Sequence, residues 1–145
     1  MFDEGLAEIV QRDPRYAYEA YEFVFHALHY TQKKLGRLPQ EESAEALEIA
    51  SAKPEHHVSG RELVEGARDL ALREFGYMAR VVFKLWGINK TDDFGHIVFN
   101  LIEGGLMSKT DHDRPEDFKD VYDLDEALVK GYRIELTSDD TEGNR

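Results

Sequence analysis

Helix start and stop signals between residues 59 and 105 constrain the fold of this chain more than any other feature of its sequence. Residues 59–62 read Ser-Gly-Arg-Glu, the S-x-x-E form of a capping box, in which the serine hydroxyl and the glutamate carboxylate bind the first free amides of a helix. Apolar residues then recur at helical spacing, and glycines at 76, 87 and 104–105 end successive helices. The apolar positions of the first of these helices are Leu63, Ala67, Leu70 and Ala71.

Two helices are predicted before the capping box. The spacing of Phe2, Leu6, Ile9 and Val10 predicts a short amphipathic helix. Asp13-Pro14 then predicts a new helix start, because aspartate caps helices and proline fits the first helical position. This second helix should run to about Leu35 and end at Gly36. Its predicted core stripe is Ala17, Tyr21, Val24, Leu28 and Leu35.

Two more helices are predicted after Gly76. The first covers Tyr77 to Trp86, with Met78, Val81, Val82, Leu85 and Trp86 expected to face the core. The second begins at Thr91, which is expected to cap it through its hydroxyl group, and ends at Gly104. Its expected buried stripe is Phe94, Ile97, Val98, Leu101 and Ile102.

Beyond Gly105 the pattern becomes mixed. Residues 106–122 allow two short strands around a turn or, alternatively, one helical turn at Pro115–Phe118. A capped helix is predicted from Asp123 through Val129 and a last strand over Tyr132–Leu136. The fold class predicted is mainly α: a compact bundle of five to six helices with a small C-terminal β element. Residues 1–136 form a single domain in this prediction, with a mobile connection over 36–58 and a disordered acidic tail over 137–145.

A winged-helix-like arrangement of residues 59–122 is a further hypothesis, and the charge pattern argues against the DNA-binding function that it suggests. Its recognition helix, Thr91 to Met107, carries no lysine or arginine. The whole chain has a net charge of −12, which repels nucleic-acid phosphates and anionic membrane surfaces. We therefore expect no nucleic-acid partner, no membrane partner and a cytoplasmic location. The absence of cysteine excludes disulfides, thiolate metal sites and thiol nucleophiles.

An aromatic row on the second helix is the candidate partner-binding site. Tyr16, Phe23 and Tyr30 repeat every seven residues and lie roughly 120° from the core stripe at 3.6 residues per turn. A neighbouring helix could cover them, which would make them core. Alternatively they form an exposed surface, because aromatic residues are enriched at protein interfaces. On the second hypothesis the protein binds another protein or self-associates through this row.

Two histidines provide the alternative candidate site. His26 and His29 are three residues apart on one helix, a spacing that can supply two ligands to a metal. Neither belongs to a HExxH or Glu-x-x-His pattern, so boundary and surface roles compete with the metal hypothesis. A small-molecule or metal-binding protein that uses these helix-borne histidines is thus the second class of function.

The sequence contains no recognisable catalytic constellation: it has neither a glycine-rich phosphate loop nor a Gly-x-Ser-x-Gly elbow. Three segments, 57–76, 86–110 and 113–128, resemble an uncharacterised family of small bacterial proteins associated with Planctomycetes and Verrucomicrobia. The resemblance implies a stable intracellular bacterial domain and transfers no activity or site residue. The function predicted is therefore a non-enzymatic protein-interaction or adaptor module without a cofactor.

Overall fold

The computed structural model describes residues 2–37, 58–107 and 115–130. Within these ranges the chain is mainly helical, as predicted, and contains no strand. No helix there is both long enough and apolar enough to cross a lipid bilayer. Two 3-10 turns, Gly76–Met78 and Pro115–Phe118, and a π-helical segment, Glu126–Lys130, complete the structure. The five α-helices are α1 (Phe2–Arg12), α2 (Tyr18–Lys34), α3 (Gly60–Phe75), α4 (Ala79–Leu85) and α5 (Asp92–Glu103).

The predicted β element is not seen where the structure can test it. In the described part of residues 106–122, Pro115–Phe118 forms the helical turn that was the alternative to two strands. Asp123 starts a helical segment as predicted, because its Oδ1 accepts a hydrogen bond from the Glu126 amide at 3.0 Å. The strand predicted over 132–136, most of the mobile connection and the acidic tail lie outside the described residues.

The capping box at the start of α3 is confirmed. The Ser59 hydroxyl accepts a hydrogen bond from the Glu62 amide at 3.1 Å, and the Glu62 carboxylate accepts one from the Ser59 amide at 3.0 Å. Both groups would otherwise leave amides of the first turn unpaired. Arg37, just beyond α2, donates to the same Glu62 carboxylate at 2.7 Å. The start of α3 is therefore fixed to the end of α2.

The start of α2 was predicted wrongly. The helix begins at Tyr18, four residues after Pro14, and its N-cap residue Ala17 makes no side-chain capping bond. Asp13 does not cap it, because the Asp13 carboxylate is taken by Arg15 and Asn100. Residues 13–17 instead form a turn that docks on the end of α4, where the Ala17 amide donates to the Trp86 carbonyl at 3.1 Å.

Glycines end α2 and α4 as the sequence predicted. Gly36 and Gly87 have φ values of +73° and +91°, a region that disfavours residues with a Cβ atom. Each end has the two backbone hydrogen bonds of a Schellman motif. After α2, the Arg37 amide donates to the Gln32 carbonyl and the Gly36 amide to the Lys33 carbonyl. After α4, the Ile88 amide donates to the Phe83 carbonyl and the Gly87 amide to the Lys84 carbonyl.

The core forms where α2 packs on α3, the most extensive contact between two helices. At Gly66 the helices approach so closely that an added Cβ atom would lie 1.8 Å from the Thr31 Oγ1. The predicted stripe of α2 is buried at Tyr21, Val24 and Leu28, whereas Leu35 is exposed. The apolar positions predicted for the core on α3 are all buried: Leu63, Ala67, Leu70 and Ala71. Those predicted on α5 are buried as well, except Ile102, which is partly exposed: Phe94, Ile97, Val98 and Leu101.

The Pro115–Phe118 turn is held against α3 and α5 by a buried ring. A Cβ added at Gly60 or Gly95 would lie 2.9 Å from atoms of the Phe118 ring, so both glycines make room for it. Thr91 does not cap α5 as predicted. Its hydroxyl accepts a hydrogen bond from the Val121 amide at 3.1 Å instead, and thereby fixes the segment that follows Phe118.

Candidate functional site

Four large apolar side chains lie exposed on one side of the segment from Gly76 to Leu85. Tyr77 is 69% exposed, Met78 44%, Val81 46% and Leu85 77%. Val81 and Leu85 are four residues apart on α4 and share one face of it, and Tyr77 and Met78 lie in the 3-10 turn that leads into that helix. We call these four side chains the α4 face. Exposures of this size leave an apolar patch on the order of a few hundred Å2, the range in which monomeric proteins place interaction sites.

The sequence analysis placed three of these residues in the core, and that prediction was wrong. Gly76 breaks the helix with a φ of +56° and turns the chain, so that Ala79 and Phe83 face the core rather than Met78, Val81 and Leu85. The missed signal was that α4 has apolar residues on two sides, Ala79 and Phe83 on one and Val81 and Leu85 on the other. Only one of these sides can face the core of a helix that lies at the surface.

A cluster of aromatic rings supports the α4 face from behind. Phe83, fully buried, packs edge to face on Phe23 with 5.4 Å between ring centroids. Trp86 lies 5.6 Å from Phe23 and 5.7 Å from Phe75 by the same measure. Such pairs add stability beyond the area they bury. The exposed face therefore belongs to a helix that the core holds in place.

The segment that carries the α4 face differs in charge from the whole chain. Residues 75–91 contain three basic and no acidic residues, whereas the whole chain carries −12. Arg80 donates to the Asp125 carboxylate at 2.7 Å. Lys84 and Lys90 are exposed and form no ion pair with any residue that the structure describes. The surface thus combines an apolar face with lysines that no acidic residue of the described ranges neutralises.

The aromatic row does not form an exposed surface. Tyr16 is 2% exposed and Phe23 3%, so both belong to the core, which was the other possibility left open by the sequence. Tyr30 is half-buried, with the Arg73 guanidinium 5.9 Å from its ring centre. Tyr16 precedes α2 and does not share its helical period, because the helix begins only at Tyr18.

The two candidate metal-binding histidines lie on α2, and the structure places no further ligands beside them. His26 is exposed, and His29 is half-buried with a buried Nδ1 that finds no hydrogen-bond partner among the described residues. Among the residues described, no group of three His, Asp or Glu side chains could hold a metal ion. His96, on α5, hydrogen-bonds to Tyr16.

Tyr16, Asp93 and His96 form a polar network between the start of α2 and α5. The Tyr16 hydroxyl donates its single proton to Asp93 Oδ1 at 2.6 Å. His96 Nδ1, which lies 2.8 Å from the Tyr16 hydroxyl oxygen, must therefore donate a proton to that hydroxyl oxygen. Burial, reinforced by the bond to Asp93, raises the pKa of Tyr16. The other Asp93 oxygen accepts from the amides of Asn89 and Lys90 at 2.8 and 3.1 Å. These groups satisfy one another, and the network holds the fold together.

Asp13 forms a second polar network beside the first. Its carboxylate accepts two hydrogen bonds from the Arg15 guanidinium, at 2.8 and 2.7 Å, and one from the Asn100 amide at 2.8 Å. The Asn100 amide also donates to the Tyr21 hydroxyl at 3.0 Å. The bonds from Arg15 hold the pKa of Asp13 well below its usual range, with a smaller contribution from Asn100 and against the effect of partial burial.

This lowered pKa predicts that Asp13 stabilises the protein at neutral pH and stops doing so in acid. The contribution should be complete above the ordinary aspartate pKa of about 3.9 and should disappear as the pH falls through the folded value. Urea unfolding at pH 7, 5 and 3 should therefore show a smaller loss of stability on acidification for Asp13→Asn than for the wild type. Equal losses in the two proteins would contradict the prediction.

A polar cleft of about 500 Å3 lies between α2, α3 and residues 121–122. Its charged lining residues all form ion pairs, among them Lys34 and Arg68, which both bind Asp69. The remaining charged positions are paired as well: Glu62 with Arg37 and Glu65 with Arg61. The cleft offers no unpaired charge to a ligand, and the α4 face is the stronger candidate site.

No protein-family model, no curated protein and no solved structure matches this chain. The candidate site is accordingly defined by its own geometry.

Proposed function

We propose that this protein is a non-enzymatic protein-interaction module that docks a partner protein on the α4 face. The observation that carries the proposal is the exposure of Val81 and Leu85 on α4, and of Tyr77 and Met78 in the turn before it, while the opposite side of α4 packs into the core through Phe83. The largest exposed apolar patch on a monomeric protein is often a functional one, and the α4 face has a comparable size. Tyrosine and methionine are also enriched at interfaces.

The size of the α4 face favours a short partner segment and a transient complex. A stable interface buries about 1,200–2,000 Å2 in total, roughly half from each partner. A patch of a few hundred Å2 supplies less than that half. An amphipathic helix that places apolar residues at i, i+3, i+4 and i+7 matches such a face in width and length. We therefore propose a helical segment of another protein as the occupant.

The proposal is tested by selecting helical peptides from a displayed library on the wild-type protein. The bound peptides are then compared on Val81→Asp/Leu85→Asp and on Leu35→Asp. Leu35 is a matched control, because it is also a large exposed apolar residue but lies at the end of α2. We expect the selected peptides to lose at least about tenfold in affinity on the α4 double variant and to keep it on the control.

Two results would overturn this function. One is that no peptide is enriched, or that the enriched peptides bind the α4 double variant as well as the wild type. The other is a wild-type dimer in sedimentation that the α4 double variant converts to a monomer, because the face would then be covered by a second copy of this chain. Far-UV circular dichroism and Trp86 fluorescence, the signal of the only tryptophan, establish that each variant is folded.

A further inference from the structure

The charges around the α4 face narrow the kind of partner that fits it. Lys84 is exposed and follows Val81 by three residues, so it borders the apolar face on a neighbouring position of the same helix. Lys90 is exposed five residues beyond the end of α4. Neither lysine forms an ion pair within the part of the chain that the structure describes. Lys84 therefore gives the apolar face a basic margin, and Lys90 adds a second positive charge in the loop that follows α4.

That margin is unusual in this chain. The protein has 30 acidic and 18 basic residues, yet residues 75–91 contain none of the 30. Arg80, the other basic residue of α4, forms an ion pair with Asp125, whose side chain is 73% exposed. A partner that approaches the α4 face thus meets positive charge that no described carboxylate neutralises, while the net negative charge of the chain repels acidic molecules elsewhere.

We infer that the partner segment is an amphipathic helix with acidic side chains along the edge of its apolar stripe. This inference rests on the proposed function, since it names the partner of the same surface. Apolar side chains of the helix cover Val81 and Leu85, and its carboxylates lie against Lys84 and Lys90. The charge pairs select the partner and its orientation, whereas apolar burial supplies most of the affinity.

A second copy of this chain fits the face less well. In an antiparallel twofold pair of α4 helices, the same edges meet, so the basic margin of one copy would face the basic margin of the other. Like charges opposed across an interface disfavour the complex. The area of the face is also smaller than a stable dimer needs. Both arguments favour a different protein that carries the opposite charge.

The test uses two synthetic helical peptides that share leucines at i, i+3, i+4 and i+7. One has glutamates at the flanking positions and the other has lysines there. Both lack aromatic residues, so Trp86 fluorescence reports their binding to the protein, and the amide shifts of residues 77–85 locate it. We expect the glutamate peptide to bind the α4 face and to weaken as salt is added.

Charge variants of the protein provide the matched control. Lys84→Glu/Lys90→Glu should lower the affinity of the protein for the glutamate peptide roughly five- to tenfold. Lys33→Glu/Lys119→Glu makes the same change in net charge at two exposed lysines outside the α4 face. This variant should bind the glutamate peptide with the same affinity as the wild type. The lysine peptide should respond in the opposite direction to the first variant.

The possible outcomes separate this inference from the proposed function. If both peptides bind the α4 face equally and the charge variants have no effect, the inference fails while the docking function stands. If neither peptide shifts the amides of residues 77–85, both fail. Tighter binding to phosphatidylglycerol vesicles than to the glutamate peptide, with the same dependence on Leu85, would also overturn the inference, because the occupant would be an anionic membrane.

Discussion

Replacing Gly66 by alanine is expected to destabilise this protein by about 2–4 kcal/mol, although alanine is the better helix former by about 1 kcal/mol. The reason is the close contact of α2 with α3, where the new methyl group would lie 1.8 Å from the Thr31 Oγ1 and 3.1 Å from the Thr31 Cβ. Thr31 is buried and its hydroxyl donates to the Ala27 carbonyl at 2.7 Å, so it cannot move away freely. Urea unfolding followed by circular dichroism measures the effect.

The control for Gly66→Ala is the same substitution combined with Thr31→Ala. Removing Oγ1 eliminates the shortest contact, so the double variant should be more stable than the sum of the two single effects predicts, by on the order of 1–2 kcal/mol. The rescue should be incomplete because the Thr31 Cβ remains close. Additive effects would show that the two helices separate easily at this point, contrary to the prediction.

Replacing Gly87 by alanine is expected to lower the free energy of unfolding by roughly 3 kcal/mol or more, for two reasons. With φ at +91° the residue lies in a conformation that costs an alanine about 1–2 kcal/mol. In addition, the new Cβ would lie 2.1 Å from the Arg15 carbonyl oxygen, a backbone atom that moves only if the turn over residues 13–17 moves. Because the Ala17 amide is bonded to the Trp86 carbonyl, that movement would break the docking of the turn on α4.

Gly36→Ala separates the two sources of cost. Gly36 has a similar φ of +73° and ends α2 in the same Schellman motif, but no described atom lies within 4 Å of an added Cβ. Its cost should be about 1–2 kcal/mol, from backbone conformation alone. Urea midpoints and slopes of all three proteins, read from Trp86 fluorescence, give the comparison. Equal losses for Gly36→Ala and Gly87→Ala would contradict the close contact at Arg15.

Helix boundaries that depend on nearby residues were predictable from the sequence. The Ser59/Glu62 capping box and the glycine stops at 36 and 87 were found because they need only a few consecutive residues. The start of α2 was not predictable in this way, because the Asp13 carboxylate binds a residue that is distant in sequence. Its hydrogen bond with Asn100 spans 87 residues. The prediction that Thr91 caps α5 failed for the same reason, because its hydroxyl accepts a hydrogen bond from the Val121 amide.

The candidate site was not predictable in this way. The sequence left open whether Tyr16 and Phe23 are core or surface, and the structure buries both. It placed Val81 and Leu85 in the core, and the structure exposes both. Periodicity shows which residues share a face but not which of two apolar faces is covered. That choice depends on the turn at Gly76, which directs Phe83 into the aromatic cluster and leaves the opposite side uncovered.

By itself, the sequence determined the helical class, the ends of most helices and the acidic surface, because propensity, capping and net charge are properties of short segments or of composition. The tertiary structure alone decided which apolar residues remain exposed. Burial is decided by the packing of segments far apart in the chain, such as Gly66 on Thr31 and Gly87 on Arg15, and each of these contacts fixes where a helix can lie. The α4 face is the result of that packing.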